Sequence, residues 1–100
     1  MKNEVWGLDH ESVKKLKSVF NAHSKIQKVI LYGSRAMGTH RPNSDIDITL
    51  MGDQLAHSDL LKIANQIDDL VLPQKVDLSL FHQIDTPSLR DHILRIGKEL

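Results

Sequence analysis

The sequence predicts a small α/β (α+β) domain: a small mixed three-stranded sheet with helices packed on it. Three observations predict it. Segments of helical and strand periodicity alternate in the order α-β-(α)-β-α-β-α. The link between the first two strands is too short for a crossover, which makes them antiparallel, whereas the next link carries a whole helix and makes its strands parallel. Finally, 100 residues, of which 40% are hydrophobic and 26% charged, match one ordinary globular core, so residues 1–100 are read as a single domain.

Asp9 is placed to cap a first helix by accepting a free amide of its opening turn, with Leu8 and Val13 at the two positions of a hydrophobic staple. Val13, Leu16 and Phe20 line its inner face. Val29-Ile30-Leu31-Tyr32 reads as a buried strand ending at Gly33, residues 34–38 as a brief helix, and Thr39 to Ser44, with Pro42 and Asn43, as a turn. From Asp45 to Met51, Ile46, Ile48 and Leu50 alternate with Asp45, Asp47 and Thr49, the pattern of a strand with one apolar face. Leu60, Ile63, Ala64, Ile67, Leu70 and Val71 recur at helical spacing until Pro73. A third strand runs from about Lys75 to Phe81, with Asp77 on its polar face. Thr86-Pro87 opens a last helix through a capping hydroxyl and a proline at the tolerated first position, with Leu89, Ile93, Ile96 and Leu100 as its inner stripe.

Composition narrows the function classes. Thirteen Lys+Arg balance thirteen Asp+Glu, so no bulk field draws the chain to nucleic acid or to an anionic membrane. With no cysteine, thiolate catalysis and Cys-based zinc sites are excluded, and the composition suits a reducing, cytoplasmic setting. Met1 to Leu8 carries Lys2, Glu4 and Trp6 rather than an apolar leader, and no segment reaches the length of a membrane span. Trp6 is read as a partner anchor or, at least as readily, as a tether for this segment. The histidines His10, His23, His40, His57, His82 and His92 lack the spacing of a zinc site and are read as surface or capping residues.

The chemistry gathers around the second strand. Asp45 and Asp47, two apart, leave the same strand face with Cα atoms roughly 6.5 to 7 Å apart, and the topology brings Asp77 to the same end. Three carboxylates together repel one another unless a cation or a proton intervenes. Oxygen-only ligands favour Mg2+ or Mn2+. Two such ions can clamp the attacking and leaving oxygens of an in-line phosphoryl displacement. The Gly33-Ser34 turn adds backbone amides and a hydroxyl as anion donors, Gly33 lets a phosphate approach, and Arg35 and Arg41 are candidate phosphate binders.

Gly33-Ser34, ten intervening residues and then Asp45-Ile46-Asp47 resembles the signature of the DNA polymerase beta nucleotidyltransferase superfamily. Gly-Ser-Arg-Ala followed by Ser-Asp-Ile-Asp is similar in detail to its minimal nucleotidyltransferase (MNT) branch, and Asp77 fits the third carboxylate. The resemblance implies a polymerase beta palm-like fold and transfer of a nucleoside monophosphate, AMP from ATP, to an acceptor hydroxyl with release of pyrophosphate. It implies that Asp45 and Asp47 bind both metals, that Asp77 binds one and helps deprotonate the acceptor, and that Ser34 holds the β/γ-phosphates. Many members of the branch pair with a helical HEPN-domain protein, and some are antitoxins that adenylylate a tyrosine of it. Met37 departs from a place where members often carry a basic residue, which implies either a weaker triphosphate grip or compensation by Arg41.

Larger relatives carry extra helical domains for the acceptor; here it falls to a partner, to a second copy in a homo-oligomer, or to a shallow local surface. Two other readings compete. Asp45-Ile46-Asp47-Ile48-Thr49 also matches the DxDxT motif of haloacid-dehalogenase-type phosphohydrolases, although that motif follows a hydrophobic strand. A non-catalytic antitoxin, acting by steric contact, is the second. For Asp77 the plain alternative is an edge-strand charge, and for Arg35 and Arg41 a solvated surface cation.

Overall fold

The computed structural model describes residues 6–100; the expectation that no leader precedes the domain therefore falls largely outside the described residues. The elements are α1 (His10–Asn21), β1 (Lys28–Tyr32), α2 (Ser34–Met37), β2 (Ile46–Met51), α3 (His57–Asp68), β3 (Val76–Leu80), a 3-10 turn (Phe81–Gln83), α4 (Pro87–Ile96) and β4 (Lys98–Glu99). No helix among the described residues is long and apolar enough to cross a membrane.

The sheet order is β3-β2-β1-β4, with β1 antiparallel to β2 and β4, and β2 parallel to β3. Strand periodicity divides the sheet into two faces. Leu31, Ile46, Ile48, Leu50 and Leu80 on one face join Leu16 and Phe20 of α1 and Ile63 and Ile67 of α3 in the main core. Register places Tyr32, Asp47 and Asp77 across the opposite face, followed by Ile30, Thr49 and Ser79 one pleat further along. α4 sits over the β1 side of that face: Ile93 is buried, and a Cβ at Gly97 would run into Ile30. The Arg90 guanidinium, 4.3 Å above the Phe81 ring, donates to the Phe81 and Ile84 carbonyls and pins the start of α4 to the end of β3.

The first helix follows its local signals. Asp9 accepts the Ser12 amide at 2.7 Å, and Leu8 and Val13 are both buried in the core cluster. Trp6 packs partly buried against the same cluster, as a tether would.

Four details differ from the sequence expectation. The sheet has four strands rather than three, because the chain leaves α4 at Gly97 and returns along the free edge of β1. Leu100 N–H donates to Val29 O there, so Leu100 reaches the core from the sheet edge and not from a helix stripe. An edge strand offers unpaired backbone groups, and pairing them outweighs one more helical turn. Helix α3 stops at Asp68; Val71, expected on its inner stripe, is 85% exposed with φ of 55°, in the connection to β3 that carries the helix-incompatible Pro73. The Thr86 hydroxyl makes no capping bond, leaving Pro87 as the start signal of α4. Phe81 belongs to the 3-10 turn after β3.

Candidate active site

β1 ends where glycine is required. Gly33 has φ 77° and ψ −153°, a region essentially closed to residues with a Cβ. A Cβ built there would also collide with Oδ2 of Asp47. The turn can therefore lie directly against the Asp47 carboxylate. Ser34 follows as the first residue of α2, half-buried, its carbonyl accepting Thr39 N–H at 2.9 Å.

The structure brings Asp47 and Asp77 together as register partners on adjacent parallel strands, with Tyr32 opposite Asp47 on the other side. Asp45 lies one residue ahead of β2 and is exposed. Burial pushes the Asp47 carboxyl above its usual 3.8, and the negative charges of Asp77 and Asp45 push it further. The Tyr32 hydroxyl is also held above its ordinary value, by burial first, with Asp47 and Asp77 adding to the rise and a hydrogen bond to Ser79 opposing it. Among the described residues no three Asp, Glu or His side chains stand as a ready-made metal group. The donor set nevertheless fits a hard divalent cation, since it is all oxygen and its central carboxylate carries repulsion that a cation would relieve.

Arg35 does not serve the phosphate role expected of it. It is 1% exposed. Its guanidinium donates through Nη1 to Trp6 O at 3.0 Å, through Nη2 to Ser44 O at 2.9 Å and Pro42 O at 3.3 Å, and through Nε to Ser44 O at 3.3 Å. Burial lowers its pKa. Buried, with four of its five N–H groups donating to three carbonyls, this fork is closed off from a phosphate. It clasps the loop that ends at Asp45 instead, a role that residue type alone did not signal. Arg41 is exposed in the same loop, and among the described residues its side chain makes no hydrogen bond, which leaves it open to an anion. Met37 is 52% exposed on α2.

His92, read from sequence as a surface or capping residue, lies at the site. Its Nε2 accepts Gly33 N–H at 3.1 Å, and its ring stands edge-on to Tyr32, with centroids 6.2 Å apart. Helical spacing gives only its face, since it stands three residues after Leu89 and four before Ile96 on the inner stripe of α4; it does not give its partner.

The DxDxT alternative fails on geometry. Asp45 precedes its strand rather than following one, and Thr49 is fully buried, accepting the Ser79 hydroxyl at 2.9 Å and donating to the Ser79 carbonyl. A threonine so engaged cannot meet a substrate phosphate.

Residues 14–100 match the family described as Polymerase beta, Nucleotidyltransferase. A crystal structure of a toxin–antitoxin with AMP-PNP is similar to this chain with a TM-score of 0.69 and 26% identity, over 92% of this chain and 72% of that one. The MNT antitoxin complex with a tri-AMPylated HEPN toxin from Shewanella oneidensis is similar with a TM-score of 0.62 and 21% identity, over 88% and 66%. A MntA-HepT toxin–antitoxin gives a TM-score of 0.62 and 22% identity, over 88% and 67%. No curated protein matches the chain by sequence. With the carboxylate pair in register beside the glycine turn and the family match spanning nearly all of the described residues, the chain belongs to the polymerase beta nucleotidyltransferase family.

Proposed function

We propose that this chain transfers AMP from ATP to a hydroxyl on a HEPN-type partner protein, in a reaction that depends on Mg2+ or Mn2+. The observation that carries the reading is Asp77 in register with Asp47, whose carboxylate packs on the Gly33-Ser34 turn. The similar toxin–antitoxin with AMP-PNP supports an adenine nucleotide, and the AMPylated HEPN toxin beside an MNT antitoxin supports the acceptor.

In the transfer, the acceptor oxygen bonds to the α-phosphorus, the bridging bond to the β-phosphate breaks, and pyrophosphate leaves. Asp45, Asp47 and Asp77 would hold the cation, whose chemistry is to neutralise charge developing on the phosphate oxygens. Asp77, more exposed than Asp47, is the carboxylate that takes the acceptor proton. The Ser34 hydroxyl and the backbone amides after Gly33 hold the β/γ-phosphates, with Arg41 reaching over them. The open β2–β3 side of the site face admits the acceptor, α4 covering the other side.

The test is transfer of label from α-phosphate-labelled ATP to proteins of the source cell's lysate, with and without divalent metal, comparing wild type with the Asp45→Asn, Asp47→Asn double variant. A metal-dependent labelled band made only by wild type, with pyrophosphate released, is the expected result. Folded wild-type protein that labels nothing with any of the four nucleotides would overturn it in favour of a steric antitoxin.

A further inference from the structure

Among the described residues His92 is the one α4 side chain that hydrogen-bonds the Gly33 turn, and the proposed reaction gives it no role. Its Nε2 accepts the Gly33 amide, so the ring proton must sit on Nδ1 for this bond to exist. The other side of the same glycine is filled by the Asp47 carboxylate, which takes the space a Cβ would need. The Gly33 peptide is thus held between His92 and Asp47. Its backbone conformation is one that glycine reaches without strain but does not hold by itself, and the hydrogen bond from α4 supplies the restraint. The Tyr32 ring fixes the imidazole in turn, standing at 77° to it.

We infer that His92 is a positioning residue for the transfer reaction: by holding the Gly33 amide it keeps the turn against Asp47 and so sets the direction of that carboxylate. The Gly33 amide is thereby occupied, and phosphate contacts fall to Ser34 and the residues after it. Loss of His92 should then weaken turnover more than nucleotide binding, because the misplaced group is the carboxylate rather than the phosphate donors.

This inference rests on the proposed activity for its kinetic arm, and a spectroscopic arm stands apart from it. His92→Leu removes the acceptor, whereas His92→Gln returns an amide oxygen to nearly the same place. In label transfer, the leucine variant should lose about tenfold in kcat, the scale of one hydrogen bond, with KM for ATP within about twofold. The glutamine variant should recover most of the loss. In nitrogen-15 NMR of the wild-type protein, His92 should carry its proton on Nδ1, and exchange protection of the Gly33 amide should disappear in the leucine variant and persist in the glutamine one. Equal kcat in wild type and leucine variant, no rescue by glutamine, or a proton on Nε2 would each overturn the inference. If wild type transfers no label at all, the proposed activity fails, and the tautomer and exchange results still decide whether His92 holds the turn.

Discussion

Gly33 and Gly38 make a controlled pair. Both have φ of 77°, yet a Cβ on Gly38 would meet nothing within 4 Å, whereas one on Gly33 would overlap Oδ2 of Asp47 and press on its Cγ at 3.2 Å. Gly38 also has ψ of 14°, in the left-handed helical region, where alanine costs about 1 kcal/mol. Gly33 has ψ of −153°, where the backbone cost alone is about 1–3 kcal/mol. Restoring ordinary contact at Gly33 requires the carboxylate to move by about 1 Å, a misplacement that costs on the order of a hundredfold in rate. Gly33→Ala should therefore lose about 1–3 kcal/mol in urea unfolding and about two orders of magnitude in label transfer. Gly38→Ala should lose about 1 kcal/mol and keep activity near wild type. Both variants are to be assayed at a temperature where each is folded. If Gly33→Ala transfers label as well as Gly38→Ala does, the contact between the turn and Asp47 does not position the carboxylate, and the reasoning is refuted.

Three further outcomes are expected. Arg35→Lys should lower stability by at least about 2 kcal/mol in urea unfolding, because a single ammonium cannot reach the Trp6, Pro42 and Ser44 carbonyls together; an unchanged midpoint would contradict this. Asp47→Asn should abolish transfer yet raise the Tm of the metal-free protein at neutral pH. The folded carboxyl has a raised pKa, so the native state binds the extra proton, and stability is lost as pH rises from 3.8 through that raised value; the gain from asparagine should vanish below 3.8. Thr86→Ala should change stability by less than about 0.5 kcal/mol, against the roughly 1 kcal/mol usual for a threonine cap, since its hydroxyl caps nothing here.

Much of the site was readable because its signals are local. The Gly-Ser turn, the Asp-x-Asp pair and the strand aspartate are short patterns, and strand periodicity puts Asp47 and Asp77 on one face once the crossover makes β2 and β3 parallel. Arg35 misled because a sequence shows residue type and not burial: an arginine two residues from the Gly33 turn looks the same whether it faces solvent or a ring of carbonyls. His92 was missed for the opposite reason. Its partner Gly33 lies 59 residues away, and nothing in the local pattern of α4 records that separation.

The sequence by itself determined the alternation of helices and strands, the two sheet directions and the chemical kind of the site, since each depends on spacing within one segment or on the length of one link. The tertiary structure alone decided which polar groups reach that site. β4 forms because the free edge of β1 is there to be paired, Arg35 turns inward because three carbonyls converge on it, and His92 meets Gly33 because α4 packs over β1. These are contacts between distant segments, whose hydrogen bonds and buried surface exist only once the chain has closed on itself.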